Sequence, residues 1–288
     1  MSLLHVIILA VVQGLAELLP VSSSAHVIVA EKLMRMNPTA PEMTLLLVML
    51  HTGTMLAVIV YFWRRWSRAF FQSAADFKRF AVALILATVL TGVVGGVLTE
   101  AIEKLAFRDQ PHAWVEQLFG RLDLIASALA AGGILILFAG LWERRSRAQD
   151  PAASEMTPKQ SLWIGAVQGL CLPFRGFSRS GATISTGMIS GVPKVRAEDF
   201  SFALAVILTP AADAREAWRL IQTQHGHLGS MLTSAVVPSI LGAVFAFLAG
   251  LLALKWLSRW LETGRWYLFG VYCLVAAFVV ALLYHAGY

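Results

Sequence analysis

Charge, cysteine and proline are all scarce in this chain. Charged residues make up 14% of its 288 residues against 58% hydrophobic ones, and the mean hydropathy is +0.69. So few charges cannot cover the surface of a water-soluble domain, which excludes an ordinary soluble globule. Two cysteines exclude a disulfide scaffold, and 22 glycines and 10 prolines are too few for collagen or a low-complexity chain. Cys171 and Cys273 sit in apolar surroundings without metal-like spacing and read as small packing residues. The net charge is +6, but the basic residues come in short clusters between apolar runs. That arrangement reports membrane orientation, not nucleic-acid binding. What the chain does have is apolar runs from end to end, so residues 1–288 read as one all-α integral membrane domain.

Six runs approach the roughly 18–22 apolar residues needed to cross the hydrocarbon core. They are Thr44 to Phe62, Phe80 to Leu98, Leu122 to Trp142, Phe200 to Leu220, Leu232 to Leu254 and Trp266 to Tyr284. The fourth is interrupted by Pro210, Asp213, Arg215 and Glu216. Two more segments are too broken to cross: Leu3 to Leu33, split by Pro20 and serines, and Ser161 to Gly191, split by Pro173 and a Gly/Ser/Arg loop. Each has the outline of a re-entrant helical hairpin. The run from Leu3 to Leu19 lacks a basic leader and carries Gln13 and Glu17, so it is not expected to be a removable signal peptide.

Basic residues set the orientation. Arg64, Arg65, Arg68, Lys78, Arg79, Arg144, Arg145, Arg147, Lys159, Lys194, Arg196, Lys255, Arg259 and Arg265 all fall on one side. The other side has only Lys32, Arg35, Lys104, Arg108 and Arg121, which places both termini outside. Trp63, Trp66, Trp142, Trp256, Trp260 and Trp266 near span ends fit interfacial anchoring.

The two hairpins share sequence. Val12-Gln13-Gly14-Leu15 recurs as Val167-Gln168-Gly169-Leu170, and each copy is followed by a proline and a serine-containing loop. Three crossings follow each hairpin, and an odd number of crossings turns the second copy upside down. The expected architecture is an inverted-topology repeat, approximately 1–142 and 160–286, with the two hairpins meeting tip to tip.

Gln13 and Glu17 share a helix face. A carboxylate at membrane depth is costly unless paired or hydrated, which makes Glu17 a functional candidate. Pro20 ends that helix, and Ser22, Ser23 and Ser24 are good caps for a second helix starting near Ala25. Its N-terminus offers N–H donors and a positive dipole end, an anion site. His26 falls in its first turn, where the dipole favours the neutral ring, able to act as base for a serine or to attack phosphorus itself. His5, His51, His112, His225, His227 and His285 lack such neighbours and read as packing or loop residues. In the second loop Arg179, between Ser178 and Ser180 and near Gly176 and Gly181, is a fork suited to phosphate oxygens, and Thr183 adds a hydroxyl. Arg175 is either a second cation or a snorkelling residue. Glu17, Ser23, His26 and Arg179 are thus the candidate catalytic set, with Gln13, Ser22, Ser24, Ser178, Ser180, Gly181 and Thr183 expected to bind substrate. Together they form a phosphoryl-transfer set.

Gln13-x-x-x-Glu17-Leu-Leu-Pro20-Val-Ser22-Ser23-Ser24-Ala-His26 and Gly176-Phe-Ser178-Arg179-Ser180-Gly181-Ala-Thr183 resemble the two signature motifs of the bacitracin-resistance type undecaprenyl-diphosphate phosphatases. The resemblance extends over almost the whole chain, including His51-Thr-Gly-Thr-Met-Leu-Ala-Val-Ile-Val-Tyr-Phe62. It implies hydrolysis of undecaprenyl diphosphate to undecaprenyl phosphate and phosphate, recycling the lipid carrier for peptidoglycan synthesis and giving bacitracin resistance. It further implies a multi-pass protein of the bacterial plasma membrane with its site toward the outside. A divalent cation, Mg2+ or Ca2+, is implied near Glu17. Gln13 stands where many members carry Glu, and Arg175 where the usual motif has Pro. The expected partners are the prenyl diphosphate lipid and the membrane, with no nucleic acid; a homodimer is compatible with the sequence.

The reading from another class is a secondary transporter or flippase for a phospholipid-like anion, since inverted repeats with broken helices are common there. Transport alone does not call for serine and histidine side by side. The orientation has a direct check: a cysteine placed at position 110 should react with an impermeant thiol reagent from outside, and one at 147 should not. The reverse pattern inverts the assignment.

Overall fold

The computed structural model describes residues 2–36, 40–106, 115–145, 156–223 and 228–288. Arg108, Arg147, His112, His225 and His227, and the two labelling positions 110 and 147, lie outside these residues. The described residues form α1 (Leu3–Leu18), α2 (Ser23–Leu33), α3 (Pro41–Phe70), α4 (Ala74–Ala106), α5 (Leu122–Arg145), α6 (Pro158–Cys171), α7 (Arg179–Ile189), α8 (Lys194–Thr223), α9 (Leu228–Glu262) and α10 (Tyr267–His285), with a single 3-10 turn at Val115–Leu118. No strand occurs among the described residues.

Five helices are long and apolar enough to cross a bilayer: α3, α4, α5, α9 and α10. At about 1.5 Å per residue, the 30 residues of α3 and the 35 of α9 exceed the roughly 30 Å hydrocarbon core. They overrun the apolar windows of the sequence because their charged ends continue the helix into the headgroup region. The crossing expected at Phe200 to Leu220 is a single helix, α8, but it is not among the five, because its second half carries Asp213, Arg215 and Glu216. Pro210 sits inside it.

Ile85, Val89, Val93 and Val97 of α4 are all more than half exposed and recur every fourth residue. Such a stripe could not face water at this length and marks a lipid-facing surface. The interior is instead aromatic and small: Phe62, Phe200, Phe202 and Trp266 belong to one buried cluster. The Trp266 indole N–H donates to Ser185 Oγ at 3.0 Å, satisfying a polar atom that burial would otherwise penalise.

α1 and α6 are too short to cross. The 16 residues of α1 reach only about 24 Å. It stops because Leu19, forced out of the helical region by the following Pro20, is extended at φ −79° and ψ 149°. α1 packs on α9 while α6 packs on α4; α3 lies against α9 and α8, and α10 against α5. Thr91 on α4 donates to the Gly165 carbonyl of α6 at 2.9 Å, a cross-helix bond in an apolar wall.

Beyond His51, α3 reaches Arg65, which pairs with Glu198 at 3.0 Å and Asp199 at 2.8 Å on α8. Ser258 of α9 donates to Glu198 at 3.2 Å and accepts from Tyr61 at 3.0 Å. This polar knot ties three helices about 21 Å along α3 from His51.

The α3–α9 contact depends on Gly53, where a Cβ would lie 2.2 Å from the Ala243 carbonyl oxygen. Gly53→Ala must therefore push the helices apart, at a cost of about 1–3 kcal/mol. The expected result is a lower midpoint of thermal unfolding in detergent. Gly96→Ala, where a Cβ meets nothing within 4 Å, should leave the midpoint unchanged or raise it.

Candidate active site

Both hairpins turn on a serine in an unusual conformation. Ser22 has φ 69° and Ser178 φ 59°, in the region that disfavours side chains. Each is the residue before the second helix of its hairpin, so α2 begins at Ser23 and α7 at Arg179. The Ser178 hydroxyl caps α7 by accepting from the Gly181 N–H at 3.3 Å. α2 starts two residues earlier than the sequence predicts, and Ser22 makes no side-chain cap.

The tips touch. Ser180 Oγ donates to the Leu19 carbonyl at 3.4 Å, and the Gly176 N–H donates to Ser24 Oγ at 3.4 Å. Between them lies the central contact, in which Arg179 donates to Glu17 Oε1 at 2.6 Å. The other carboxylate oxygen, Oε2, accepts from Ser23 in a short hydrogen bond and from Gln13 Nε2 at 3.2 Å. The first residue of each second helix thus reaches one carboxylate. With two N-termini pointing at it, the place suits an anion.

A cavity of about 690 Å3 opens at this point, its wall including Glu17, Ser22, Ser23, Ser24, Ser178, Arg179 and Ser180. Arg175 lines it as well, its guanidinium 4.5 Å from the centre of the Phe119 ring.

Several sequence-predicted residues take other places. His26 does not pair with Ser23, whose hydroxyl is directed to Glu17. Its Nδ1 lies 2.7 Å from the Ser22 carbonyl and its Nε2 2.7 Å from the Tyr272 hydroxyl, with the rings stacked at 5.7 Å. Three residues beyond Ser23, it is turned along α2 toward α10. Thr183 is fully buried and spends its hydroxyl on the Arg179 carbonyl at 2.8 Å and on Ser201 Oγ at 2.6 Å. Gly181 is buried against Ile136, and Gln13 is buried behind Glu17. These three support the loop from behind. Cys171, read as a packing residue, lines the cavity.

His51, read as a packing residue, also lines the cavity, and its Nδ1 lies 3.2 Å from Asp213 Oδ1. The signal lay in the fourth span, where Asp213 broke an apolar run without an evident partner.

A resident Mg2+ or Ca2+ needs several oxygen donors around it. Glu17 already gives Oε1 to Arg179 and Oε2 to Ser23 and Gln13, and Gln13 turns an N–H donor toward it. No group of three His, Cys, Asp or Glu side chains placed to hold a metal occurs among the described residues. With Glu17 so engaged, the described residues alone do not supply the donor set of a protein-held divalent cation.

The family model described as bacitracin resistance protein BacA matches residues 6–279. The chain is 56% identical over 286 residues to undecaprenyl-diphosphatase 2 of Acinetobacter baylyi, covering 98% of each. It is 36% identical to undecaprenyl-diphosphatase 2 of Burkholderia orbicola and 35% identical to undecaprenyl-diphosphatase 1 of Burkholderia pseudomallei, in each case over 96% of this chain and 95% of the relative. The chain belongs to the BacA family of bacitracin resistance proteins.

Proposed function

We propose that this membrane protein hydrolyses undecaprenyl diphosphate to undecaprenyl phosphate and inorganic phosphate. One observation carries the mechanism: the Glu17 carboxylate holds the Ser23 hydroxyl on one oxygen and the Arg179 guanidinium on the other, at the wall of an open cavity. The diphosphate enters the cavity while the prenyl chain stays among apolar helices. Its terminal phosphoryl draws the guanidinium from Glu17, because a fork that pairs with a carboxylate pairs as well with phosphate oxygens. Glu17 Oε2 then takes the Ser23 proton as Oγ attacks phosphorus. The phosphorus–oxygen bond to the lipid phosphate breaks, and undecaprenyl phosphate leaves. Arg179 and the first N–H groups of α2 and α7 stabilise charge on the transferring phosphoryl. Water releases phosphate from Ser23. His26, fixed between Ser22 and Tyr272, holds the start of α2 in place.

The cavity faces the periplasm of a bacterial inner membrane in this proposal, on the strength of the basic-residue distribution. The two halves, approximately 1–142 and 160–286, are inverted repeats. The matching positive φ at Ser22 and Ser178 and the exchanged packing of α1 on α9 and α6 on α4 support that relation.

Arg179→Ala should lower phosphate release from prenyl diphosphate in detergent by about 10²-fold or more, the loss typical of a donor to a transition-state oxyanion. Arg179→Lys should recover only part of it, because an ammonium is not a fork. Detergent solution has no sealed compartment, so turnover there also separates hydrolysis from transport. Full activity in the alanine variant would remove Arg179 from the reaction.

A further inference from the structure

The two halves of the proposed reaction make different demands on geometry. Attack by Ser23 needs a base beside the nucleophile, and Glu17 is bonded to it. Release of phosphate needs a water in line with the breaking bond, on the side of phosphorus away from Ser23 Oγ. The base for that water must be a group other than the one bonded to the nucleophile. Glu17 is on the serine's side, and both nitrogens of His26 are engaged elsewhere, with Ser22 and Tyr272.

His51 is a base on the cavity wall that the first half-reaction does not use. It enters from α3, outside both hairpins, and lines the same cavity as Ser23 and Arg179. It also borders a smaller pocket together with Glu17 and Arg179. Asp213 of α8 holds its Nδ1 at 3.2 Å, which fixes the ring and leaves Nε2 as the nitrogen available to a group in the cavity. Asp213 is partly buried in the half of α8 that carries the charged residues, and its buried Oδ2 has no hydrogen-bond partner among the described residues. A histidine on the wall of the cavity that holds a proposed nucleophile, oriented by a carboxylate, is the arrangement of a working base and its orienting group.

We propose that His51, oriented by Asp213, is the base that activates the water releasing phosphate from Ser23; this rests on the reading of Ser23 as the nucleophile. The water gives one proton to His51 Nε2 as its oxygen bonds phosphorus. The bond from phosphorus to Ser23 Oγ breaks, and Oγ takes back the proton that Glu17 accepted in the first half. His51 then returns its proton to solvent in the cavity as phosphate departs. Asp213, which acts through His51, is a positioning residue.

The test uses the full chain in detergent and undecaprenyl diphosphate labelled with 32P in its terminal phosphate, followed by rapid quench. In His51→Gln, phosphate release should fall about 10²-fold, within the range for loss of a general base. The first turnover of undecaprenyl phosphate should remain near the native rate, and 32P should accumulate on the protein. Asp213→Asn should trap the same labelled species to a lesser extent, an effect that a merely structural role would not produce. Unchanged turnover in His51→Gln overturns the proposal. So does equal loss of both half-reactions with no labelled protein, which also covers a variant that fails to fold. Mapping the label separates the two readings: label on a residue other than Ser23 refutes Ser23 as nucleophile but leaves His51 as the base of the second step.

Discussion

The structure is organised around one carboxylate. Glu17 lies at the end of a helix too short to cross the membrane, and it ties the opening residue of α2 to the opening residue of α7. An unpaired carboxylate at this depth costs several kcal/mol, and so does an unpaired guanidinium. Ser23 and Gln13 relieve part of the first cost, and the meeting of the two hairpin tips pairs the charges. The pair is therefore the join between the two hairpin tips and, in the proposed reaction, its centre. Partial exposure to the cavity keeps it exchangeable, so a phosphate can compete for the arginine where a fully enclosed pair would resist it.

Everything else in the fold holds the tips in that position. Neither hairpin has a crossing length of its own, so each leans on a long helix that follows the other, α1 on α9 and α6 on α4. Close approach in these walls comes from absent side chains as much as from present ones. At Gly165, as at Gly53, an added Cβ would fall within van der Waals distance of backbone, 2.3 Å from the Ala87 carbonyl oxygen. In lipid the hydrophobic effect does not drive helices together, so such fits and the occasional cross-helix hydrogen bond do so. The strained φ at Ser22 and Ser178 is sustained by the same enclosure.

Much of this was legible in the sequence, and the gaps have physical causes. Apolar length marked six crossings, of which five are helices long and apolar enough and the sixth is α8, and proline with serine marked the two broken segments, because both signals are local. Helix ends were underestimated, since charged residues such as Arg64 and Arg68 prolong α3 without adding hydropathy. The pairing of Ser23 with His26 failed for a geometric reason. Both have stronger claims on them, so Ser23 turns back to Glu17 while His26 is held by the Ser22 carbonyl and Tyr272. Thr183 was placed too near the site because a hydroxyl one turn into a helix is readily satisfied by its own backbone. His51 was missed because its partner, Asp213, belongs to a helix remote in the chain, and no spacing rule connects them.

The knot of Arg65, Glu198, Asp199 and Ser258 carries a consequence for the cell as well as for the fold. An enzyme that admits a charged lipid head to the middle of a bilayer has hollowed out half of a permeability barrier. Were the remaining half loosely packed, protons and ions would follow the substrate's route straight through. In the proposed reaction, a charged plug joining three helices away from the cavity would close that route while the lipid head is bound.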